Sequence, residues 1–274
     1  MSDAPYAFIL SWERPVFLWA CLDSLYRNTR KDLRFILIDN NSQDPLVRQV
    51  IQGFDKRDMF EEILMFEEND PHRMNKVMDV YAEKIGSYFY FIENDVTVPD
   101  HVCWAAEYER IYRTYPDIAM VGSFCEKSDF IPPEIIRDKD PSLDDKDVVF
   151  YSKKNSPERN VTPDPATDIW PHDSPTPPGR LILLSKEAIL KTGFHPDAKL
   201  AREIGKNGFH WRVCTTFQHR HLSLLNWYDT PDEKYREQRT EYFRAMNSAP
   251  GRNRLLRYLD HKLDRLKHRL WKTR

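Results

Sequence analysis

The sequence predicts an α/β protein in which a mixed, mainly parallel sheet is flanked by helices. Over about the first 120 residues, short apolar runs alternate with longer amphipathic segments, which is the pattern of parallel strands joined by crossover helices. Each apolar run also ends in polar residues. In open α/β sheets, ligands bind at this carboxyl edge of the strands.

The predicted elements follow one another in a simple order. Apolar runs predict strands at residues 6–10, 35–38, 63–66, 88–92, 180–184 and 209–217. Helical spacing predicts helices that begin at Pro15, Val47 and Met74, and a later helix at residues 185–191 that Ser185 caps. We place these elements in one domain at residues 1–228.

The middle of this domain differs in composition from the rest. Residues 126–178 hold ten of the nineteen prolines and several acidic clusters, so this insert is predicted to be rich in loops. It separates a first part, residues 1–125, from a second part, residues 179–228. Composition alone leaves open whether the insert is a lid, a binding loop or a decorated surface.

A C-terminal extension, residues 229–274, ends in a strongly basic segment. Residues 252–274 carry a net charge of +7, whereas the first 251 residues carry −9. Leucines recur in this segment at positions 255, 259, 263, 266 and 270, which predicts an amphipathic basic helix. Three partners for it remain open: the acidic body of the protein, an anionic membrane surface, and a second copy of the leucine stripe.

Composition excludes several classes of protein. A hydrophobic content of 41% supports a packed core and argues against a disordered chain. The four cysteines form no C-x-x-C pair, which argues against a disulfide framework or a zinc knuckle and suits a reducing compartment. We find no signal-peptide pattern and no apolar run as long as a membrane span. We therefore expect a soluble, cytoplasmic protein without a nucleic-acid partner, and the basic segment leaves peripheral attachment to the inner membrane face open.

Three polar clusters follow strands that we expect to end at one edge of the sheet, at residues 11–14, 39–44 and 93–95. No G-x-G-x-x-G motif follows the first strand and no P-loop is present, so cations would have to hold a bound phosphate. A divalent metal on Asp95, with Glu93 as a second ligand, explains carboxylates at the mouth of a buried strand, because hard cations take oxygen ligands and bridge phosphates. An ordinary turn is the alternative explanation, since Asn and Asp favour turns.

Four segments in the right order carry a resemblance to a known family. AFILSWERPVFLWACLDSLYRNT followed by RFILIDNNSQD resembles the opening of family 2 glycosyltransferases of the GT-A fold, and FIENDVTVP stands where that family has its metal-binding D-x-D motif. PPGRLILLSKEAILKTGF is similar to the family's acceptor-side strand and helix with their Gly-Phe turn, and PDAKLAREIGKNGFHWRVCTTFQHRH is similar to the segment that follows. The resemblance covers roughly residues 6–225, apart from the insert. The Q-x-x-R-W motif and the membrane helices of processive synthases are missing from the sequence.

The resemblance implies an activity and a set of site residues. It implies metal-dependent, inverting transfer of a sugar from a nucleotide-diphosphate sugar to a glycan or lipid-linked acceptor, in glycan or polysaccharide assembly, with Mn²⁺ or Mg²⁺ as the cofactor. Residues 1–125 would then be the nucleotide-sugar half of the domain and residues 179–228 the acceptor half. The implied nucleotide-sugar contacts are Ser11, Glu13, Arg14, Asp39, Arg73, Asn75 and Asn94. The implied metal ligands are Glu93, Asp95 and His221, with His219 as the alternative histidine, and the implied general base is Asp197.

Other readings of these residues stay open. Asp39 and Asp197 could instead cap the helices that follow them. A sugar nucleotidyltransferase of the same fold is a second possible function, although no Gly-rich basic loop follows the first strand. A third is a non-catalytic protein that binds a nucleotide or a sugar.

Overall fold

The structure is a computed structural model that describes residues 4–139, 141, 145, 148, 152, 169–170, 180–195 and 198–222. Most of the proline-rich insert, Asp197 and the extension at residues 229–274 lie outside the described residues. The division of the chain into domains therefore stays a prediction, as does the amphipathic helix at its end.

The described residues alternate strands and helices over most of their length. The strands are β1 (Tyr6–Ser11), β2 (Arg34–Asp39), β3 (Glu62–Met65), β4 (Tyr88–Glu93), β5 (Val96–Thr97), β6 (Ile118–Cys125), β7 (Ile169–Trp170), β8 (Leu181–Ser185) and β9 (His210–His221). The helices are α1 (Pro15–Asn28), α2 (Pro45–Asp55), α3 (Arg73–Tyr81), α4 (Trp104–Thr114), α5 (Pro133–Lys139), α6 (Lys186–Thr192) and α7 (Ala198–Lys206).

These strands form one sheet in the order β3-β2-β1-β4-β8-β6-β9-β5, with β7 paired to β9. The first four strands pair with one another in parallel, whereas β8 is antiparallel to both of its neighbours. β9 is parallel to β6 and antiparallel to β5 and β7. The prediction of a mixed sheet flanked by helices is confirmed.

A packed core lies on each face of the sheet, because successive strand residues point to opposite faces. In β1, Ala7 and Ile9 join a core that includes residues of α1, α2 and α4, whereas Phe8 joins a core that includes residues of α3, α6 and α7. Within the part of the chain that the structure describes, no helix combines the length and the apolar character needed to cross a bilayer.

The long strand β9 changes partner along its length. Ser123 of β6 pairs with Cys214, but Cys125 pairs with His219, so a register shift separates two stretches of β9. Beyond this shift, Val96 of β5 pairs with His221. The end of β9 therefore lies beside the turn that follows β4.

A buried strand and the helix that precedes it are among the elements absent from the sequence prediction. α4 and β6 were not expected, although every residue of β6 is buried and the strand lies inside the sheet. Gly122 and Ser123 interrupt the apolar run of β6, which weakens its pattern. The predicted cap of α6 is confirmed, because the Ser185 hydroxyl accepts a hydrogen bond from the Ala188 amide.

Candidate functional site

Three strand ends meet at one edge of the sheet. In the register of the parallel strands, Ser11 pairs with Asp39 and Leu10 pairs with Glu93. Pairing continues past the strands, because the Asn40 amide donates to the Ser11 carbonyl at 2.8 Å. The polar clusters that follow β1, β2 and β4 are therefore neighbours, as the sequence predicts, and Ser11 is fully buried among them.

A left-handed turn joins β1 to α1. Glu13 and Arg14 have φ values of 53° and 63°, which are uncommon for residues other than glycine. Pro15 then begins α1. Residues in such conformations cost backbone energy and tend to collect at functional sites. Both side chains are buried, and they bond to different neighbouring segments.

Glu13 closes the loop that follows β2. Its two carboxylate oxygens accept hydrogen bonds from the backbone amides of Gln43 at 2.8 Å and Asp44 at 3.1 Å. Its own amide donates to Ser42 Oγ at 2.7 Å. Glu13 therefore holds residues 42–44 against the β1–α1 turn, and its contact with a nucleotide stays a prediction.

Asp39 binds the same loop from the end of β2. Its carboxylate accepts hydrogen bonds from the Ser42 amide at 2.9 Å and from the Ser42 hydroxyl at 2.6 Å. Burial raises the pKa of Asp39, and the bonds from Ser42 oppose this effect. Asp44 is the residue that caps α2, because its side chain accepts from the Leu46 amide. The alternative in which Asp39 caps this helix is therefore wrong.

Arg73 lies buried behind this loop, at the start of α3. Its Nε donates to Asn40 Oδ1 at 2.9 Å, its Nη2 donates to the Glu68 carbonyl at 2.6 Å, and its guanidinium lies 3.9 Å from the centroid of the Phe66 ring. Asn40 also exchanges two hydrogen bonds with the backbone of Asp70. These contacts attach the start of α3 to the end of β2.

Asn75 connects α3 to the turn after α6. Its side-chain amide donates to the Phe194 carbonyl at 2.9 Å, and its Oδ1 accepts from the Phe194 amide at 2.7 Å. The predicted Gly-Phe turn is present, and Gly193 has a φ of 76° that favours glycine. Asn75 thus links elements from both predicted halves of the domain.

The centre of the site is a buried ion pair between the ends of β1 and β4. Arg14 Nη1 donates to Asp95 Oδ2 at 2.8 Å, and the two residues are only 3% and 6% exposed. The Arg14 guanidinium also lies 4.2 Å from the centroid of the Phe17 ring. Asn94 supports the turn, because its Nδ2 donates to the Glu13 carbonyl at 3.1 Å. The second oxygen of Asp95, Oδ1, is buried and makes no hydrogen bond within the described residues.

His221 reaches this pair from the end of β9. Its Nε2 lies 3.4 Å from Asp95 Oδ2. The backbone fixes this approach, because the Leu222 amide donates to the Asp95 carbonyl at 2.7 Å and the His221 amide donates to Asp129 Oδ2 at 2.8 Å. Asp129 also pairs with Arg220 at 2.7 Å. Asp129, which the sequence analysis missed, therefore anchors the strand end that carries His221.

Burial sets the protonation states of this cluster. It lowers the pKa of His221 to about 4, and the charge of Arg180 acts in the same direction. Burial acts to raise the pKa of Asp95, but His221, Arg14 and Arg180 outweigh that effect and hold the pKa well below its ordinary value. The hydrogen bond from His221 and the charges of Arg14 and Arg180 thus favour the ionised form of the Asp95 carboxyl.

Arg180 is a second arginine at this site, and the sequence analysis gave it no functional role. Its Nε lies 3.5 Å from Glu93 Oε2, and its carbonyl accepts from the Glu93 amide at 2.8 Å. Its charge acts on both Asp95 and His221. Arg180 directly precedes β8, so only the pairing of β8 with β4 brings it beside Glu93. The sequence around Arg180 does not indicate this position.

The alternative histidine, His219, lies in a fully buried network. Its Nδ1 is 2.9 Å from Ser123 Oγ and its Nε2 is 3.5 Å from Cys125 Sγ. Ser123 Oγ is in turn 2.7 Å from the Tyr108 hydroxyl. Burial lowers the pKa of His219 to about 3. Both ring nitrogens therefore serve the core, and His221 is the histidine beside Asp95.

The described residues offer two ligands for a divalent cation. Asp95 and His221 are adjacent, Asp95 Oδ1 makes no hydrogen bond within the described residues, and an ionised carboxylate with a neutral imidazole suits such a cation. No group of three His, Cys, Asp or Glu side chains that could hold a metal occurs among the described residues. Glu93 lies against Arg180, so its role as a ligand stays a prediction. The pair fits a cation whose remaining ligands come from a bound phosphate.

Comparison with known proteins gives one family and a shared fold. A model of the family described as Glycosyl transferase family 2 matches residues 7–169, which is more than half of the chain. The mannosyltransferase PcManGT from Pyrobaculum calidifontis, solved in complex with GDP-Man and Mn²⁺, is similar with a TM-score of 0.53 and 11% identity over 87% of this chain and 61% of PcManGT. S. aureus TarS has a TM-score of 0.52 and 11% identity over 90% of this chain and 40% of TarS.

The chain thus spans less than two thirds of either protein. No curated protein sequence matches it.

Proposed function

Because the chain belongs to glycosyl transferase family 2 and has the GT-A fold predicted from its sequence, we propose that it transfers a sugar from a nucleotide-diphosphate sugar to a hydroxyl group. The prediction that it is a glycosyltransferase is confirmed at the level of the family. Inversion at the anomeric carbon, a glycan or lipid-linked acceptor and a place in glycan or polysaccharide assembly are parts of the proposal. Peripheral attachment to a membrane through residues 252–274 is a further part.

One observation carries the proposal: an ionised carboxylate and a neutral imidazole lie side by side at the carboxyl edge of the parallel strands. Asp95 has a buried oxygen without a hydrogen bond within the described residues, and His221 Nε2 lies 3.4 Å from its other oxygen. This edge is where ligands bind in open α/β sheets. The Mn²⁺ bound by PcManGT supports a divalent cation, Mn²⁺ or Mg²⁺, at this place.

The proposed chemistry needs positive charge at the leaving group and a base at the acceptor. A divalent cation held by Asp95 and His221 would act as a Lewis acid on the donor diphosphate. Arg14 and Arg180 add fixed positive charge beside it, which stabilises negative charge that develops on the departing diphosphate. Asp197, which lies outside the described residues, would take the proton of the acceptor hydroxyl.

The remaining site residues are proposed to shape the nucleotide pocket. Glu13, Asp39 and Arg73 hold the loops at the ends of β1 and β2 through the bonds described above. Ser11 is fully buried at the end of β1, and its hydroxyl makes no hydrogen bond within the described residues. In the proposal, the first three position the pocket wall and Ser11 faces the nucleotide.

The proposal is tested by measuring donor binding and turnover separately. Purified protein is mixed with UDP- and GDP-sugars and MnCl₂, and release of the nucleoside diphosphate is followed. We expect Asp95→Ala to lose metal-dependent nucleotide binding. We expect Asp197→Asn to keep binding but to slow transfer by about 10²- to 10⁴-fold, which is the usual contribution of a general base.

Asp23→Asn is the matched control, since this aspartate lies on α1 and pairs with the exposed Arg27. Activity equal to that of the original protein in both Asp95→Ala and Asp197→Asn would reject the site. Nucleotide binding without any turnover in the original protein would favour the non-catalytic alternative.

A further inference from the structure

The carboxylate proposed to hold a divalent cation already has a cation beside it. Arg14 Nη1 lies 2.8 Å from Asp95 Oδ2, and both residues are almost completely buried. A buried ion pair is costly to break when one partner is left alone, because the remaining charge has lost its solvation. A metal ion that binds Asp95 therefore has to share the carboxylate with Arg14 or displace it.

The charges around Asp95 balance without a metal. Among the described residues beside Asp95, the ion pairs Arg14–Asp95 and Arg180–Glu93 set two arginines against two carboxylates. A free divalent cation would add two positive charges beside the buried Arg14–Asp95 pair, which is unfavourable.

A diphosphate group changes this balance. It brings negative charge, oxygen ligands for a divalent cation, and acceptors that suit the planar fork of an arginine. Arg14 could then exchange one anion for another without losing a partner. Its guanidinium also lies 4.2 Å from the centroid of the Phe17 ring, which is a contact that Asp95 does not supply.

We propose that Arg14 is the resident counter-ion of Asp95 and makes the binding of a divalent cation conditional on a nucleoside diphosphate. This inference rests on the proposed function, and it adds a positioning role for Arg14. The left-handed turn at Glu13 and Arg14 explains why the guanidinium stays in place, because the turn, the Asp95 contact and the Phe17 contact all fix it.

The first test measures the coupling in the original protein. Free Mn²⁺ is followed by electron paramagnetic resonance while MnCl₂ is titrated into the protein, alone and with saturating UDP, GDP, ADP, CDP or dTDP. We expect the recognised diphosphate to tighten Mn²⁺ binding about tenfold or more, and Mn²⁺ to tighten binding of that diphosphate by the same factor, because coupling is reciprocal. A ratio below about twofold would overturn the inference.

The second test removes the charge of Arg14. Arg14→Met keeps an unbranched side chain against Phe17 but leaves Asp95 without its arginine. We expect this variant to bind Mn²⁺ alone about tenfold more tightly than the original protein does. The ratio of its Mn²⁺ affinities with and without diphosphate should fall towards one. Arg14→Lys keeps the charge and should keep the coupling.

Arg27→Gln is the matched control, because Arg27 lies on α1, the helix that follows Arg14, and pairs with Asp23 but is exposed. It should behave as the original protein does. Arg14→Met that binds Mn²⁺ alone no more tightly would overturn the inference. Thermal unfolding shows whether Arg14→Met folds. If it does not, the coupling between Mn²⁺ and diphosphate is compared in the original protein and in Arg14→Lys. Loss of this coupling in Arg14→Lys would contradict the inference.

The outcomes separate this inference from the function on which it rests. If no diphosphate changes Mn²⁺ binding or the melting temperature of the original protein, the proposed function falls and the inference falls with it. If nucleotide and Mn²⁺ both bind but Arg14→Met leaves their coupling unchanged, only the role of Arg14 is rejected.

Discussion

Two polar clusters lie side by side at the same edge of the sheet, and they solve the problem of buried polar groups differently. The loop-closing cluster consists of Glu13, Asp39, Asn40, Ser42 and Arg73. Its side chains bond mostly to backbone amides and carbonyls or to neutral side chains. The cation cluster consists of Arg14, Asp95, Arg180 and His221. It pairs opposite charges and leaves Asp95 Oδ1 without a hydrogen bond in the described part of the chain.

The difference separates architecture from a ligand site. A buried polar group whose partners all lie within the protein gains nothing from a ligand, and removing it costs stability. A buried carboxylate oxygen without a partner is unfavourable unless a ligand supplies one. We therefore expect changes in the loop-closing cluster to lower stability alone, and changes in the cation cluster to alter binding as well as stability.

The largest expected effect is a loss of stability at low pH, caused by the two buried histidines at the end of β9. Burial lowers the pKa of His221 to about 4 and that of His219 to about 3, from an ordinary value of 6.5. Below pH 6.5 the unfolded chain binds protons that the folded protein does not, so stability is fully present above that pH and falls as the pH falls. Between pH 7.5 and 5 the two histidines together should lower the free energy of unfolding by about 4 kcal/mol.

Urea unfolding at pH 7.5, 6.5, 5.75 and 5 measures this slope. His219→Gln should remove about half of it, whatever its effect on stability at pH 7.5. His101→Gln should leave the slope unchanged, because that histidine is exposed. A slope that survives His219→Gln in full would mean that other groups control the acid sensitivity.

The next largest effect tests whether Arg73 belongs to the architecture. Arg73→Met removes the bonds to Asn40 Oδ1 and the Glu68 carbonyl and leaves the methionine against Phe66. Hydrogen bonds to a charged group contribute more than neutral ones, so we expect the free energy of unfolding to fall by about 2–4 kcal/mol. The urea midpoint at pH 7.5 measures the change. An unchanged midpoint together with weaker nucleotide binding would instead make Arg73 a direct contact of the ligand.

The two clusters also differ in how much of them could be predicted from the sequence. Apolar runs at the predicted positions were enough to find β1, β2 and β4, and their polar ends meet because parallel strands share a carboxyl edge. The hydrogen-bond partner of each polar side chain could not be predicted from the sequence. Glu13 bonds to amides about 30 residues away, and the left-handed turn that aims it has no signature in the residues themselves.

Long-range pairing explains the other omissions. Asp129 lies at the site because it binds the end of β9, and Arg180 lies there because it directly precedes β8. The strands that pair with β8 and β9 are far away in the sequence. An acid in a proline-rich segment and an arginine before a strand carry no sign of this. β6 was missed for a local reason, since Gly122 and Ser123 break its apolar run.

The smallest expected effect is the sharpest test of the boundary between the clusters, because Glu13 stands next to Arg14 yet belongs to the other cluster. Glu13→Gln keeps the shape of the side chain but offers one acceptor oxygen where the carboxylate offers two to the amides of Gln43 and Asp44. The second amide then faces an NH₂ group, so we expect the free energy of unfolding to fall by about 1–2 kcal/mol. Glu67→Gln, at an exposed position, is the matched control and should show no change.

In folded Glu13→Gln, Mn²⁺ and nucleotide should bind as before, because Asn94 contacts the Glu13 carbonyl and not the Glu13 side chain. Weaker Mn²⁺ binding at full stability would show that the Glu13 charge acts on the cation cluster, and the two clusters would then have to be treated as one site.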